Sequence, residues 1–169
     1  RRMKAAGAFS VKSYNQPRRD QRQQVIAAAR ELGMMVVPEG GALFQHNMTM
    51  VVDGHTGIEH SIPVGAVYDD VLQLWKQSRV GYTPTLVVTY GGPWGENYWY
   101  TNTEVHDDAK LNRFMPHNLV DQKTRRKPWF RSDEYFYPKV AEAAGRIARA
   151  GGHIGIGSHG QIQGIGFHW

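Results

Sequence analysis

AFSVKSYNQPRRDQRQQVIAAARELGMMVV, residues 8–37, contains a strand pattern, a helix pattern and a second strand pattern in succession. Residues 8–14 are short, apolar and rich in side chains that favour strands, and Pro17 suits the first turn of a helix. Over residues 18–32, apolar side chains recur at helical spacing. Residues 34–37 then form a compact apolar run. This succession predicts a β-α-β unit whose two strands lie parallel in one sheet.

The alternation of strand and helix patterns continues along the rest of the chain. TPTLVVT, residues 83–89, is the clearest strand pattern, because a continuous run of β-favouring side chains is typical of a strand buried on both faces. The complete order is β-α-β-α-β-α-β, a long segment, and then α-β, which predicts a parallel α/β fold. A doubly wound sheet and a (β/α)8 barrel both fit this order. The other predicted elements are helices over 42–52, 67–78 and 139–150, and strands over 57–60 and 154–157.

Residues 90–138 interrupt the alternation with a long segment that is rich in aromatic and charged side chains. A segment of this length inside an α/β domain predicts a lid or a binding loop rather than a plain connection. The candidates to line a substrate pocket are Trp94, Tyr98, Trp99 and Tyr100, with Tyr90 at the preceding strand end. Glu96 is a candidate to bind a cationic group of the substrate. The alternative is that the aromatic side chains pack together as a small core of the segment itself.

The composition is that of a globular domain with a basic charge. Apolar residues make up 41% of the 169 residues, and the formal net charge is +5. Basic residues cluster at 18–22 and 123–127, which indicates solvated faces or, alternatively, contacts with RNA or another anionic partner. No RNA-recognition motif accompanies them, so nucleic acid is not the expected partner. The absence of cysteine excludes disulfides and thiolate metal sites, and no apolar run approaches the ~20 residues that cross a membrane.

Gly155, Gly157 and Gly160 spell the pattern G-x-G-x-x-G near the end of the sequence. In a dinucleotide-binding loop, this pattern follows a strand, begins a helix and precedes an acidic residue by ~20 positions. The residues after Gly160 contain too much glycine to begin a helix, and no acidic residue follows them in this sequence. We therefore do not predict a nucleotide site here.

Side chains with metal-binding or acid-base chemistry stand near the ends of the predicted strands. They are Lys12 in the first strand, Glu39 after the second, His60 at the end of the third and His159 after the last. Parallel strands bring their carboxyl ends to one edge, where ligands of α/β proteins bind. Each residue alone also has an ordinary explanation, such as a surface lysine, a helix-cap partner or a hydrogen-bonded histidine. Together they predict a polar active-site rim.

Several stretches of this sequence resemble a known enzyme family. TGIEHSIPVGAVYDDV (56–71) resembles the strand-6 segment of the amidohydrolase superfamily, in the imidazolonepropionase-like branch, where an IEH pattern delivers a metal-binding histidine. Residues 8–34, 83–100 and 157–169 resemble the amidohydrolase domain that follows a TolB-like β-propeller in large bacterial proteins. The similarity covers nearly the whole chain.

The resemblance implies that residues 1–169 are the C-terminal portion of a (β/α)8 TIM barrel. They correspond to approximately strands 4 to 8, with residues 90–138 inserted after strand 7 over the barrel mouth. The H-x-H motif of the family's first strand is absent from this sequence. Because half a barrel leaves strand edges open, the remaining barrel half or a second copy of the chain is an expected partner.

The resemblance also implies a metal centre. Lys12 in SVKSY matches the strand-4 lysine, which many relatives carry as a carboxylated ligand that bridges two metals. His60 in IEH matches the strand-6 metal histidine. Glu39 falls near the strand-5 position, where the family usually has histidine. His159 falls where the family usually has a strand-8 aspartate, which binds metal and acts as a general base.

These matches imply a hydrolase that cleaves C–N bonds of a small-molecule amide, peptide or cyclic amide. The implied cofactor is one or two divalent metal ions, with zinc expected, that activate a water molecule. His159 and Lys12 are the predicted catalytic residues, and His159 carries a proton to the leaving nitrogen. His168 is predicted to contact the substrate. The alternative is a degenerate barrel that binds or scaffolds without catalysis, because two ligand identities are shifted and the H-x-H motif is missing.

Overall fold

The computed structural model describes residues 1–14, 16–125 and 127–159, and it combines helices with short parallel strands. The strands are β1 (Ser10–Ser13), β2 (Met35–Pro38), β3 (Gly57–Glu59), β4 (Gly81–Thr83) and β5 (His153–Ile154). The helices are α1 (Arg2–Ala5), α2 (Arg19–Glu31), α3 (Phe44–Asp53), α4 (Asp69–Ser78), α5 (Gly95–Asn102), α6 (Ala109–Phe114), α7 (His117–Thr124) and α8 (Tyr137–Arg149). Two short 3-10 turns cover Val105–Asp107 and Ser132–Glu134. The predicted α/β class is confirmed.

The described strands are parallel and lie side by side in chain order. β1 pairs with β2, and β4 pairs with both β3 and β5. The two groups meet at the β2–β3 junction, where Glu39 and Glu59 form a parallel bridge. At this junction the amide of Gly40 donates to the carbonyl oxygen of Glu59 at 2.8 Å, and the amide of Thr56 donates to the carbonyl oxygen of Val36 at 2.9 Å. The carboxyl ends of the strands therefore share one edge.

The main hydrophobic core lies between the sheet and helices α3, α4 and α8. Trp75 of α4 and Tyr82 of β4 are almost fully buried, and their rings meet edge-on with centroids 5.6 Å apart. The buried positions of α8 recur at intervals of three and four residues, the spacing that puts side chains on one helix face. They are Val140, Ala143, Ala144 and Ile147.

Helix α2 covers the first two strands and contacts the residues that lead into it. Ile26 on its inner face packs in a cluster with Val36 of β2. Arg22 is buried, and its guanidinium donates to the carbonyl oxygens of Gln16 at 2.9 Å and Pro17 at 3.0 Å. Hydrogen bonds from a charged donor are worth about 1.5–3 kcal/mol each, so Arg22 holds the backbone of Gln16 and Pro17 against α2.

The strand predicted over residues 83–89 is wrong in position. β4 ends at Thr83, and the following residues turn, with the amide of Val88 donating to the carbonyl oxygen of Thr85 at 2.9 Å. Pro84 has no amide hydrogen to give a neighbouring strand, so the ladder stops there. The apolar run indicated burial correctly but not the backbone conformation. The other predicted elements are confirmed with ends that differ by a few residues, and β5 is shorter than expected.

Residues 90–138, the insertion, contain helices that the sequence patterns did not predict. Helices α5, α6 and α7 and both 3-10 turns lie within it. The insertion has a small hydrophobic core of its own, formed by Tyr100, Val105, Leu111 and Val120. Its side chains are therefore held in place by packing rather than carried on an irregular loop.

Candidate active site

Residues near the ends of the strands meet around one polar cavity of about 410 Å³. The polar cavity brings together the four residues predicted as metal ligands, which are Lys12, Glu39, His60 and His159. They converge because parallel strands deliver their carboxyl ends to the same edge. The structure adds four lining residues that the sequence analysis did not single out, namely Tyr14, Glu59, Thr85 and Ser158.

Glu39 links Lys12 and His60 through its two carboxylate oxygens. Lys12 Nζ lies 2.9 Å from Oε2, and His60 Nε2 lies 3.1 Å from Oε1. The Lys12 side chain is 66% exposed, so water screens its ion pair, and the contribution to stability is about 0–1 kcal/mol. The main effect of the two contacts is to orient the Glu39 carboxylate within the polar cavity.

The backbone of His60 lies in the left-handed region, with a φ of 70°. Residues other than glycine rarely adopt this conformation, which costs about 1–3 kcal/mol. The amide of His60 donates to the carbonyl oxygen of Thr83 at 3.1 Å, which ties this conformation to β4. Strained backbone of this kind clusters at functional sites, so the conformation of His60 agrees with a role in the polar cavity.

The His60 ring has the protonation state and the free nitrogen of an imidazole that can bind a metal ion. Burial lowers its pKa, and His159 and Lys12 act in the same direction, against the Glu39 carboxylate. The ring is therefore neutral at neutral pH. Its Nε2 faces Glu39, and its Nδ1 is buried without a hydrogen-bond partner among the described residues. A histidine that donates one N–H to a carboxylate and keeps the other nitrogen's lone pair is the usual arrangement at metal sites.

His159 lies opposite His60, with ring centroids 5.7 Å apart and planes tilted by 41°. Its Nδ1 is also buried and has no hydrogen-bond partner in the described part of the chain. Imidazole nitrogens of this kind are ligands that zinc accepts, and the Glu39 carboxylate orients the His60 ring. The ligand atoms of Glu39, His60 and His159 do not form a group within 4.8 Å of one another, so the polar cavity is wider than a preformed metal site.

A second cavity, of about 420 Å³, adjoins the polar cavity at Glu39. We call it the apolar cavity, because Leu43 and Met50 contribute to walls that are mostly hydrocarbon. Tyr90, predicted to contact substrate, lies beside it, since its hydroxyl donates to the carbonyl oxygen of the lining residue Gly40 at 3.4 Å. Burial raises the pKa of Tyr90, and the Glu39 carboxylate acts in the same direction. Tyr90 thus stays protonated as a donor.

Glu96, Tyr98 and Trp99 lie in the insertion and, on the described residues, line neither cavity. The Tyr98 ring stacks on Tyr137 with centroids 5.3 Å apart, and Trp99 meets Tyr137 edge-on at 5.5 Å. Glu96 Oε2 lies 3.4 Å from Lys123 Nζ, and burial raises the pKa of Glu96 against the effect of that lysine. These aromatic side chains pack with one another, and their role toward a substrate stays a prediction.

His106, His117 and Asp121 form another group of potential metal ligands, within the insertion. Their ligand atoms all lie within 4.8 Å of one another, which holds for no other group of three or more such residues in the part of the chain that the structure describes. The group can hold a metal ion. The spacing of four between His117 and Asp121 was the available signal, but no helix had been predicted there. His168 lies outside the described residues.

Comparisons of the chain with protein-family models, curated proteins and solved structures find no match. Within the described ranges, no helix has both the length and the apolar character needed to cross a bilayer. Function is therefore inferred from the geometry of the polar cavity together with the sequence motifs.

Proposed function

We propose that this chain forms part of a metal-dependent hydrolase that cleaves C–N bonds in small amide, peptide or cyclic amide substrates. The observation that carries the proposal is the convergence, in one polar cavity at the carboxyl ends of parallel strands, of Lys12, Glu39, His60 and His159. Each residue was expected there from its place in the sequence, and the buried free nitrogens of the two histidines support metal binding.

A partial (β/α)8 barrel of the amidohydrolase superfamily is the architecture that we propose. The chain order of the parallel strands supports it, because strands of a barrel follow one another in sequence, whereas a doubly wound sheet reverses its order once. In such a barrel β1 to β5 correspond to strands 4 to 8. The carboxyl edge of the strands is the side on which barrel enzymes bind their substrates.

The proposed metal site uses the two imidazoles as ligands, and the Glu39 carboxylate is the outer partner of the His60 ring. When bound, the ion supplies a polarised water for attack on an amide carbonyl. His60 and His159 would hold the ion through imidazole nitrogen, and Glu39 accepts the N–H of His60, which fixes the orientation of that ring. Lys12 forms an ion pair with Glu39, and an ammonium group has no lone pair to bind a metal. Lys12 becomes a metal ligand only if its nitrogen is carboxylated to a carbamate.

Proton transfer is assigned to Glu59 and charge stabilisation to Lys12. His159 was predicted to carry the proton, but a ring that binds the ion through one nitrogen is a weak base. Glu59 lines the same cavity, and burial raises its pKa, against a hydrogen bond from Thr83 and the charge of Lys12. A carboxyl group with a raised pKa is suited to take a proton from water and return it to the leaving nitrogen. The exposed Lys12 ammonium offers hydrogen bonds to the developing oxyanion.

The apolar cavity supports a substrate with a hydrocarbon substituent next to the scissile bond. Glu39 lines both cavities, so a hydrocarbon group bound in the apolar cavity lies next to a residue of the polar cavity. Tyr90 adds a donor at the boundary between the two. We therefore expect acyl groups of apolar amino acids to be preferred over charged ones.

Zinc binding by the chain tests the proposal directly. After removal of metal with a chelator, we expect zinc to bind, and His60→Ala to lower the number of bound ions by one. Glu59→Gln is expected to retain zinc and to lose about 10²–10⁴-fold in amide hydrolysis, the usual contribution of a general acid-base group. Bound zinc is measured by elemental analysis, and hydrolysis with a panel of amides of apolar amino acids.

His153→Ala is the matched control, because His153 is an exposed histidine in β5 that does not line the polar cavity. It is expected to bind as much zinc as the unsubstituted chain. Equal zinc content in the His60→Ala, His153→Ala and unsubstituted proteins would contradict the proposed metal site.

A binding or scaffolding role without catalysis is the second candidate. It is favoured by one observation, that Glu39 is already paired with Lys12 and His60 and so is satisfied without an ion. This candidate expects no zinc in the polar cavity and no hydrolysis of any amide, and the same measurements therefore distinguish the two.

A further inference from the structure

We propose a second, structural zinc site within the insertion, formed by His106, His117 and Asp121. His106 lies in the 3-10 turn Val105–Asp107, and the other two residues lie on α7. An ion bound by all three joins the turn to the helix. The site uses none of the residues of the polar cavity, so it stands independently of the hydrolase proposal.

The three side chains are already close to the geometry of a metal site. Their ligand atoms lie within 4.8 Å of one another, and the rings of His106 and His117 have centroids 5.3 Å apart. His117 and Asp121 are four residues apart on α7, so they lie on one face, one turn from each other. In a tetrahedral site with bonds of ~2.0–2.2 Å, ligand atoms are about 3.3–3.6 Å apart. The present limit of 4.8 Å exceeds this spacing by little more than about 1 Å.

The hydrogen bonds of His106 leave one nitrogen ready to bind an ion. Its Nε2 lies 3.0 Å from Thr124 Oγ1, and this hydroxyl donates to the carbonyl oxygen of Val120 at 3.1 Å. Because the hydroxyl hydrogen is used, Nε2–H donates to the hydroxyl oxygen, and Nδ1 keeps a lone pair. Nδ1 is buried and has no hydrogen-bond partner among the described residues. A bound cation satisfies this nitrogen, and Thr124 orients the ring as outer partners do at metal sites.

The small size of the insertion core explains why an ion is useful there. Val105 and Val120 of that core are the chain neighbours of His106 and Asp121, so the site lies at the edge of the core. Small cores are commonly reinforced by a disulfide or a metal, and the chain has no cysteine. Two imidazoles and one carboxylate suit zinc better than magnesium or calcium, which prefer oxygen ligands.

Arg125, the residue that follows α7, competes with the ion because its guanidinium forms an ion pair with Asp121. The Arg125 side chain is 73% exposed, and exposed ion pairs of this kind contribute only about 0–1 kcal/mol. Zinc therefore displaces the guanidinium at little cost, and the carboxylate turns from one cation to the other.

Amide hydrogen exchange with and without zinc tests this site in the full chain. We expect zinc to slow exchange over residues 105–124. The zinc concentration at which exchange slows gives the affinity of the site. His117→Ala and Asp121→Asn should each lower this affinity by at least about tenfold. His117 is exposed, so its replacement leaves the fold intact. Asp107→Asn is the matched control, since Asp107 is an exposed carboxylate beside His106, and it should change nothing.

The variants of the two metal sites separate the two proposals. His60→Ala should leave zinc protection of residues 105–124 unchanged, whereas His117→Ala should leave the ion of the polar cavity in place. The structural site would be overturned if zinc slowed amide exchange in the insertion equally in the unsubstituted protein and in the His117→Ala and Asp121→Asn variants. The structural site would also be overturned if His60→Ala lost zinc and neither His117→Ala nor Asp121→Asn did. That result would support the hydrolase proposal.

Discussion

His55 lies in the core between α3 and β3, where only 2% of its surface is exposed. Its Nδ1 lies 2.9 Å from the carbonyl oxygen of Met50. Burial lowers the pKa of His55, and this carbonyl only partly opposes the effect. The folded pKa therefore lies below the unfolded value of about 6.5. The neutral ring stabilises the fold above that value, and the stabilisation is lost as the pH falls through the folded pKa.

We therefore expect the free energy of unfolding to decrease as the pH is lowered from about 7.5 to about 5, and His55→Gln to make this decrease shallower. Urea denaturation at each pH gives the two slopes. His153→Gln removes an exposed histidine and should retain the slope of the unsubstituted protein. If His55→Gln also retained that slope, the burial of His55 would not be its cause.

At the scale of elements, the β2–β3 junction depends on a close approach at Gly40. A Cβ atom on Gly40 would lie 2.6 Å from the carbonyl oxygen of Glu59, a backbone atom that moves only with β3. A Cβ atom on the next residue, Gly41, would meet no atom within 4 Å among the described residues. Replacement by alanine should therefore produce a steric clash at Gly40 and none at Gly41.

Gly40→Ala is expected to lower the free energy of unfolding by about 1–3 kcal/mol, the usual cost of overpacking. It should also weaken zinc binding in the polar cavity, because Glu39 and His60 are positioned across the junction. Gly41→Ala is expected to change neither quantity. Chemical denaturation and zinc titration of both variants check this, and equal stability of the two would argue against a tight junction.

At the scale of the whole molecule, the described sheet has two ends. Among the described strands, β1 and β5 each pair on one side only, and large apolar side chains near them are exposed, such as Phe9 and Ile156. Unpaired strand edges favour pairing with another chain. This is the arrangement expected of a partial barrel.

The proposed partial barrel predicts that the chain self-associates, or binds a chain that supplies the other strands of a barrel, in a concentration-dependent way. Light scattering coupled to size-exclusion chromatography measures this. Ile156→Lys should weaken self-association, because a charge at a strand edge opposes pairing. Trp129→Lys replaces an exposed side chain of the insertion and should have no effect. A monomer at every concentration would speak against the partial barrel.

Sequence patterns predicted the elements that are specified by residues close together in the sequence. Helices α2, α3, α4 and α8 were found because each repeats apolar residues on one face, and the polar cavity was found because parallel strands end at one edge. Residues 83–89 were misread, because an apolar run reports burial in a turn as well as in a strand. The group of His106, His117 and Asp121 escaped notice, because its members meet through packing of a small core that has no sequence period.

The β2–β3 junction also couples binding to folding. Lys12 and Glu39 stand on one side of it, and His60 and His159 on the other. A ligand held from both sides acts as a reversible cross-link between the two parts of the sheet. Because it binds only when both parts are joined, it stabilises the folded chain by about 2.7 kcal/mol at a hundred times its Kd. By reciprocity, the free energy by which the bound ligand stabilises the junction equals the free energy by which the joined sheet favours binding of the ligand.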